Sequence, residues 1–213
     1  RNKDDINLWQ YFSIPTPNQP NIFEGAAEKE ALFYDYQKYV RINEVSPISD
    51  NQNGVDESDW IELYNNSDQT IDLAGFGLSD DEDDRYKWVF PKGAVIAPNA
   101  YLVVFASGTG MMDEAGNYNT NFKLKAGIDD IYLSSNLGYT VDVMPARFVG
   151  GGNSIGKSAG GDVFLLKMAT PGLQNDEKTY TGYTSSVQFS QPSGTYSDSF
   201  TLTLSSPDTT AEI

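Results

Sequence analysis

The sequence predicts an all-β chain: an antiparallel two-layer sandwich behind a short N-terminal helical connector. Three observations predict it. Between residues 41 and 167, β-branched and aromatic runs recur at short intervals, separated by turn clusters. Several runs alternate apolar with polar, as strands with one wet face do: Ile61 and Leu63 around Glu62, Ile71 and Leu73 around Asp72, Val141 and Val143 around Asp142. No helical stretch separates these runs, which argues against βαβ units and a parallel sheet.

In chain order, Trp9-Gln10-Tyr11-Phe12 runs into Pro15-Thr16-Pro17 and reads as an aromatic edge strand closed by proline breakers. Residues 22–39 hold the one helix-like stretch, Ala26, Ala27, Ala31 and Leu32 among Glu and Lys, and are expected to form a partly helical connector. Strands follow at residues 40–45, 60–64, 70–73, 86–90, 101–105, 131–133, 139–143 and 163–166, which assigns the sandwich to residues 40–176. Beyond Asn175 the chain turns polar. Residues 187–190 and 200–204 then alternate around the turn Pro192-Ser193-Gly194-Thr195. Two or three strands cannot bury a core alone, so residues 184–213 are expected to open a second, truncated sandwich.

A weak internal repeat accompanies this order. At an offset of 154, Lys3 falls on Lys157, Thr16 on Thr170, Pro17 on Pro171 and Asn21 on Asn175. The shared succession of strand, Thr-Pro turn and Asn marks residues 1–21 as the closing strand of a preceding related unit.

Composition bounds the chemistry. The 213 residues include 30 acidic and 14 basic side chains, a net charge of −16, with no histidine and no cysteine. Histidine-based triads, thiolate nucleophiles, disulfides and zinc sites of the usual N/S type are therefore excluded. A field of this sign repels phosphate backbones, so no nucleic-acid partner is expected. No apolar run approaches the roughly 18 residues of a membrane span. Arg1-Asn2-Lys3-Asp4-Asp5 opens polar, without an apolar stretch behind it, and the chain reads as a piece of something longer.

The strand wording resembles the lamin tail domain. Ile42-Asn43-Glu44-Val45, Asp59-Trp60-Ile61-Glu62-Leu63-Tyr64-Asn65 and Ile71-Asp72-Leu73-Ala74-Gly75-Phe76-Gly77-Leu78-Ser79-Asp80 carry the resemblance. It continues through Lys87-Trp88-Val89-Phe90-Pro91, residues 97–106, Asn121-Phe122-Lys123-Leu124, Ser154-Ile155-Gly156-Lys157 and Ala169-Thr170-Pro171-Gly172, in order over roughly residues 40–176. The resemblance implies an immunoglobulin-like β-sandwich without a catalytic motif, found in bacteria as a module of secreted or surface proteins. Residues 189–205 with Thr210-Ala211-Glu212-Ile213 resemble the start of a chitobiase-type C-terminal β-sandwich module. The loop at residues 107–121, with Met111-Met112-Asp113-Glu114 at its tip, is longer than a tight turn needs and is where a copy-specific contact would sit.

Several stretches imitate reactive motifs. Gly151-Gly152-Asn153-Ser154-Ile155-Gly156-Lys157-Ser158 satisfies the phosphate-loop pattern, but Ala159-Gly160-Gly161 cannot start the helix that pattern needs, so a solvent-exposed hairpin turn is expected. Its Gly152-Asn153-Ser154-Ile155-Gly156 imitates a nucleophile elbow, yet no histidine can take the serine proton. Glu44 and Glu62 are the carboxylates a glycosidase could use, and are read instead as outward-facing strand positions. Asp80, Asp81, Asp83 and Asp84, around Glu82, are weak calcium candidates, since hard cations take several oxygens from one loop. Asp50, Asp56 and Asp59 are the second choice; a solvated acidic turn is the plainer reading of the first group, and an Asx-rich loop between the first two strands that of the second. Trp60, Trp88, Tyr101 and Phe105 are expected in or near the core. Exposed tyrosines such as Tyr118 and Tyr139 would suit glycan stacking if they shared a plane.

The expected function is a non-catalytic binding or scaffold module of a larger bacterial extracellular, cell-surface or periplasmic protein. It would contact a protein, a surface glycan or the cell wall, and the adjacent modules of its own chain, with no cofactor beyond the calcium candidates. The alternative is an accessory domain of a larger enzyme, a hydrolase or CotH-like kinase, whose catalytic part lies outside these residues.

Overall fold

In the computed structural model, residues 38–47 and 59–211 are described, apart from 126, 128, 146, 151, 177, 185 and 186. They fall into two units divided between Thr179 and Tyr180.

The first unit carries twelve of the strands. They are β1 (Val40–Ser46), β2 (Trp60–Asn65), β3 (Ile71–Asp72), β4 (Gly77–Ser79), β5 (Trp88–Val89), β6 (Val95–Ile96), β7 (Tyr101–Phe105), β8 (Tyr118–Asn119), β9 (Ile131–Ser134), β10 (Thr140–Met144), β11 (Ser154–Lys157) and β12 (Val163–Leu166). One layer is six-stranded, in the order β12-β11-β1-β2-β7-β8; the other is four-stranded, β10-β9-β4-β5; β3 and β6 pair beside them. Every pairing in this unit is antiparallel except β7 with β8. This is the antiparallel two-layer sandwich the alternating strands predict, of the immunoglobulin-like kind that the resemblance implies. Its core takes Ile42, Val45, Ile61, Leu63, Val104 and Ile155 from the larger sheet and Leu78, Leu133 and Met144 from the smaller, all buried. Phe76 and Phe90 are also buried, and Phe90 meets the edge of Trp88 at 4.7 Å and of Tyr118 at 5.7 Å.

One irregularity positions the site described below. The β1–β2 register pairs Ile42 with Leu63 and then Glu44 with Glu62, leaving Asn43 as an extra residue. A bulge of this kind turns two successive side chains toward one face, where a regular strand would send them to opposite faces. The Ile42 N–H donates to Asp142 Oδ2 of β10 at 2.8 Å, tying the two layers together at the bulge.

Two readings of the sequence are corrected here. The glycine-rich stretch around Ser154 and Lys157 is no exposed turn: Ser154–Lys157 is a fully buried strand between β1 and β12. Gly156 belongs there because a Cβ would lie 2.6 Å from the Phe164 ring and 2.8 Å from Asn175 Nδ2. Glu62, read as a wet position between Ile61 and Leu63, is buried. Of the expected connector at 22–39, only Lys38 and Tyr39 lie within the described residues, and both are helical. Residues 1–21 lie outside them.

The second unit contains β13 (Gln188–Phe189) and β14 (Leu204–Ser205), paired antiparallel with Phe189 opposite Leu204. Tyr196 and Phe200 pack ring to ring at 4.5 Å, while Phe189, Leu202 and Leu204 remain exposed.

Candidate functional site

Glu44 and Glu62 face each other across β1 and β2, and neither has measurable exposure (0 % each). Directly opposed side chains of this kind have Cβ atoms about 5 Å apart. Both carboxylates are sealed under the turn that follows β12. Glu44 Oε1 accepts from Ser154 Oγ at 2.5 Å and from the Thr170 N–H at 2.9 Å, and Glu44 Oε2 accepts from Thr170 Oγ1 at 2.6 Å. Glu62 Oε1 accepts from Asn43 Nδ2 at 2.9 Å, and Glu62 Oε2 from the Gly172 N–H at 2.5 Å. Asn175 closes the arrangement. Its Oδ1 accepts from Asn43 Nδ2 at 2.9 Å and its Nδ2 donates to the Asn43 carbonyl at 3.1 Å.

Burial dominates the electrostatics of the pair. It pushes Glu62 up to about 8, against the donors of Gly172 and Asn43, and the neighbouring Glu44 carboxylate adds to the rise. Glu44 is raised as well, again by burial, with Ser154 and Thr170 opposing. These two residues were read as outward-facing strand positions; they do lie on the face turned away from the core, but the turn after β12 covers them and they are not exposed. They are internal fasteners: the oxygens a hydrolytic mechanism would turn toward a sugar are turned toward this chain's own N–H and O–H groups.

A second polar knot lies between the two sheets. Lys157, 7 % exposed, donates to Asp142 Oδ1 at 2.6 Å and to the Val143 carbonyl at 2.8 Å. Lys157 is the lysine of the phosphate-loop pattern, so its ammonium is committed within the fold and β11 ends in a turn rather than a helix.

The calcium candidates are dispersed. Asp80 is engaged by Lys87 Nζ at 2.6 Å, and Asp81 Oδ1 accepts the Asp83 N–H of its own loop at 2.9 Å. Asp83 and Asp84 are exposed. Among the described residues, no group of three or more carboxylates converges as a metal site. Asp50 and Asp56 lie outside the described residues. Asp59 accepts the Leu124 N–H at 3.1 Å, and burial lifts it to about 6, so it fastens a loop.

The aromatic expectations divide. Trp60 and Trp88 are buried, and Tyr101 and Phe105 are partly so. On the face that carries Glu62, Tyr64 stacks on Tyr101 at 4.6 Å, and the Arg41 guanidinium lies over the Tyr64 ring at 5.1 Å. The two rings are engaged with each other rather than set side by side as a flat platform. In the loop at 107–121, Asp113 accepts N–H groups of Ala115 and Asn117 and holds a tight turn, with Met111 71 % exposed beside it.

Asn43, Asp142, Thr170 and Asn175 were not foreseen as site residues. A signal for some of them existed: Lys157, Thr170 and Asn175 are three of the four identities at the 154-residue offset.

A family model described as Lamin Tail Domain matches residues 36–146, just over half of the chain. The match covers β1 to β10; the larger sheet continues past it through β11 and β12. No curated protein matches the chain. With that match, the chain belongs to the lamin tail domain family.

Proposed function

We propose that the chain is a non-catalytic binding or scaffold module of a larger bacterial protein that works outside the cytoplasm, at the cell surface, in the periplasm or in the medium. Its partner is a protein, a surface glycan or the wall, and no cofactor takes part. One observation carries the non-catalytic reading: the carboxylates best suited to hydrolysis, Glu44 and Glu62, have no exposure and are bonded to the chain's own donors. Membership of a family of immunoglobulin-like modules supports the same reading. Among the described residues, no helix is long and apolar enough to cross a membrane.

Residues 1–21 are the end of a preceding related unit and residues 184–213 the opening of a chitobiase-type sandwich. The four identities at offset 154 support the first assignment. The exposed apolar side chains of the β13–β14 hairpin support the second, since so small a sheet buries no core.

The test is a joint binding and turnover assay on the purified chain, using immobilised peptidoglycan, a glycan array and chromogenic glycosides. Saturable binding to one class without turnover is the expected result. Turnover that disappears in Glu44→Gln or Glu62→Gln would overturn the reading.

A further inference from the structure

Glu44 and Glu62 form a buried like-charge pair, and among the described residues no cation is paired with either. The charged and titratable groups around them are these. On β1, Arg41 points its guanidinium at Asn43 Oδ1, 3.4 Å away, and over the Tyr64 ring. Tyr64 of β2 and Tyr101 of β7 stack beside Glu62. On β11, Ser154 donates to Glu44, and Lys157 is held by Asp142 of β10. The closing turn contributes Thr170, which donates to Glu44, Gly172, whose N–H donates to Glu62, and Asn175, which is bonded to Asn43 rather than to either carboxylate.

Two carboxylates at cross-strand distance in a site closed to solvent cannot both stay ionised without a countercharge, because the repulsion is not screened there. A single proton removes that repulsion. We propose that Glu44 and Glu62 together make one buried proton-binding site, and that its proton locks the turn at residues 169–175 onto the outer face of the six-stranded sheet. Loss of the proton puts two charges under the turn. The cheapest relief is for Thr170, Gly172 and Asn175 to lift away and admit water, while β1 and β2 stay paired through their backbone ladder. Glu62 carries the proton, in keeping with the strong upward push that burial gives it. The turn is thus a latch that opens on the alkaline side of neutrality.

The experiment is amide hydrogen exchange by NMR on the whole chain, corrected for intrinsic rates, from about pH 6.5 to about pH 9.5. Thr170 and Gly172 report the latch, and Leu63 and Val104 report the sheet. The expected result is a fall of at least about tenfold in protection at Thr170 and Gly172, equivalent to one unit of differential proton affinity, with Leu63 and Val104 remaining more protected than the turn at every pH even as the whole fold loses stability. In Glu62→Gln the fall disappears. Constant protection at the turn, protection at Thr170 and Gly172 equal to that at Leu63 and Val104 throughout, or a fall that persists in Glu62→Gln would each overturn the proposal. Should Glu62→Gln not fold, carboxyl carbon shifts of glutamate-labelled wild type decide. A Glu44 or Glu62 carboxyl titrating near 8 upholds the shared site, and both titrating near the ordinary value of 4.5 removes it.

Discussion

The chain holds two groups of carboxylates that look alike on paper and behave oppositely in the fold. In the loop after Ser79, Asp80, Asp81, Glu82, Asp83 and Asp84 follow one another, and all but Asp80 lie exposed. On β1 and β2 only two carboxylates meet, Glu44 and Glu62, and both are sealed from water. The dense group disperses its charge into solvent and onto Lys87 and Arg85, through contacts of 2.6 and 3.4 Å. The sparse group has no such outlet and is raised by burial. Charge density along a sequence is therefore a poor guide to where electrostatic energy is stored. Desolvation decides it, since water screens an exposed pair to a fraction of what a buried pair feels.

The comparison breaks most directly at Glu44. Replacing it with Ala takes the acceptor from buried Ser154 Oγ and from the part-buried Thr170 N–H, and leaves Thr170 Oγ1 only its 3.4 Å contact with Asn175 Oδ1. Each such orphan costs about 1–3 kcal/mol, so Glu44→Ala is expected to destabilise the sandwich by about 4 kcal/mol in a urea titration. A loss below about 1 kcal/mol would mean that the turn at 169–175 contributes little to stability.

Next in size is the partly buried acid that does have a cation. Asp142 holds both Lys157 Nζ and the Ile42 N–H, so Asp142→Ala strands a buried ammonium and a backbone donor together. About 3 kcal/mol of destabilisation is expected by the same measurement. Unlike Glu62, Asp142 has its countercharge beside it. Gly156→Ala follows, at about 2 kcal/mol. Its methyl would press on the Phe164 ring, which sits among packed neighbours, and on Asn175, which is part of the clasp. Wild-type stability in that variant would show that the turn tolerates displacement.

A pH series sharpens the contrast further. Glu62 rises from 4.5 to about 8 and Asp59 from 3.8 to about 6 on folding, both chiefly by burial. A carboxyl whose folded value is raised binds more protons folded than unfolded, so stability falls as pH climbs through the interval between the two values. The melting temperature is expected to decline between about pH 4 and pH 6 through Asp59, and from about 4.5 to 8 through Glu62. Asp59→Asn should flatten the lower part of the decline and Glu62→Gln the upper. A melting temperature that rises across this range would place the dominant titrating groups elsewhere.

How much of this was legible in the sequence follows from the same physics. The sandwich was, because β1, β2, β7, β9 and β10 carry runs long enough to show a pattern. The two-residue strands β3, β5, β6 and β8 are too short to show one; β3 and β5 were foreseen inside longer runs, and β6 and β8 were not. β11 was hidden by its glycine, which reads as a turn residue yet is required by close packing against Phe164. The site was misread at one step. Alternation separates two faces of a strand but does not say that the second face is wet, and here a turn 126 residues distant from Glu44 covers it. No local pattern reports a lid supplied from that far along the chain. Thr170 and Asn175 stood out as repeat identities and Lys157 also as the lysine of a phosphate-loop pattern, none with the role it has in the fold.

The smallest expected effect belongs to the acidic loop. Asp83→Asn with Asp84→Asn removes two exposed charges that accept no bond from a neighbouring element, and stability should move by less than about 0.5 kcal/mol. Calcium tests the same loop from the other side. A site occupied at about 100 times its dissociation constant would add about 2.7 kcal/mol, several degrees in a domain of this size. Because Asp80 is engaged by Lys87 and Asp81 by its own loop, melts with excess chelator and with added calcium are expected to coincide. A rise of several degrees with calcium, lost in the double variant, would show that the exposed acids gather around an ion, and the contrast with Glu44 and Glu62 would then be one between two ways of neutralising charge.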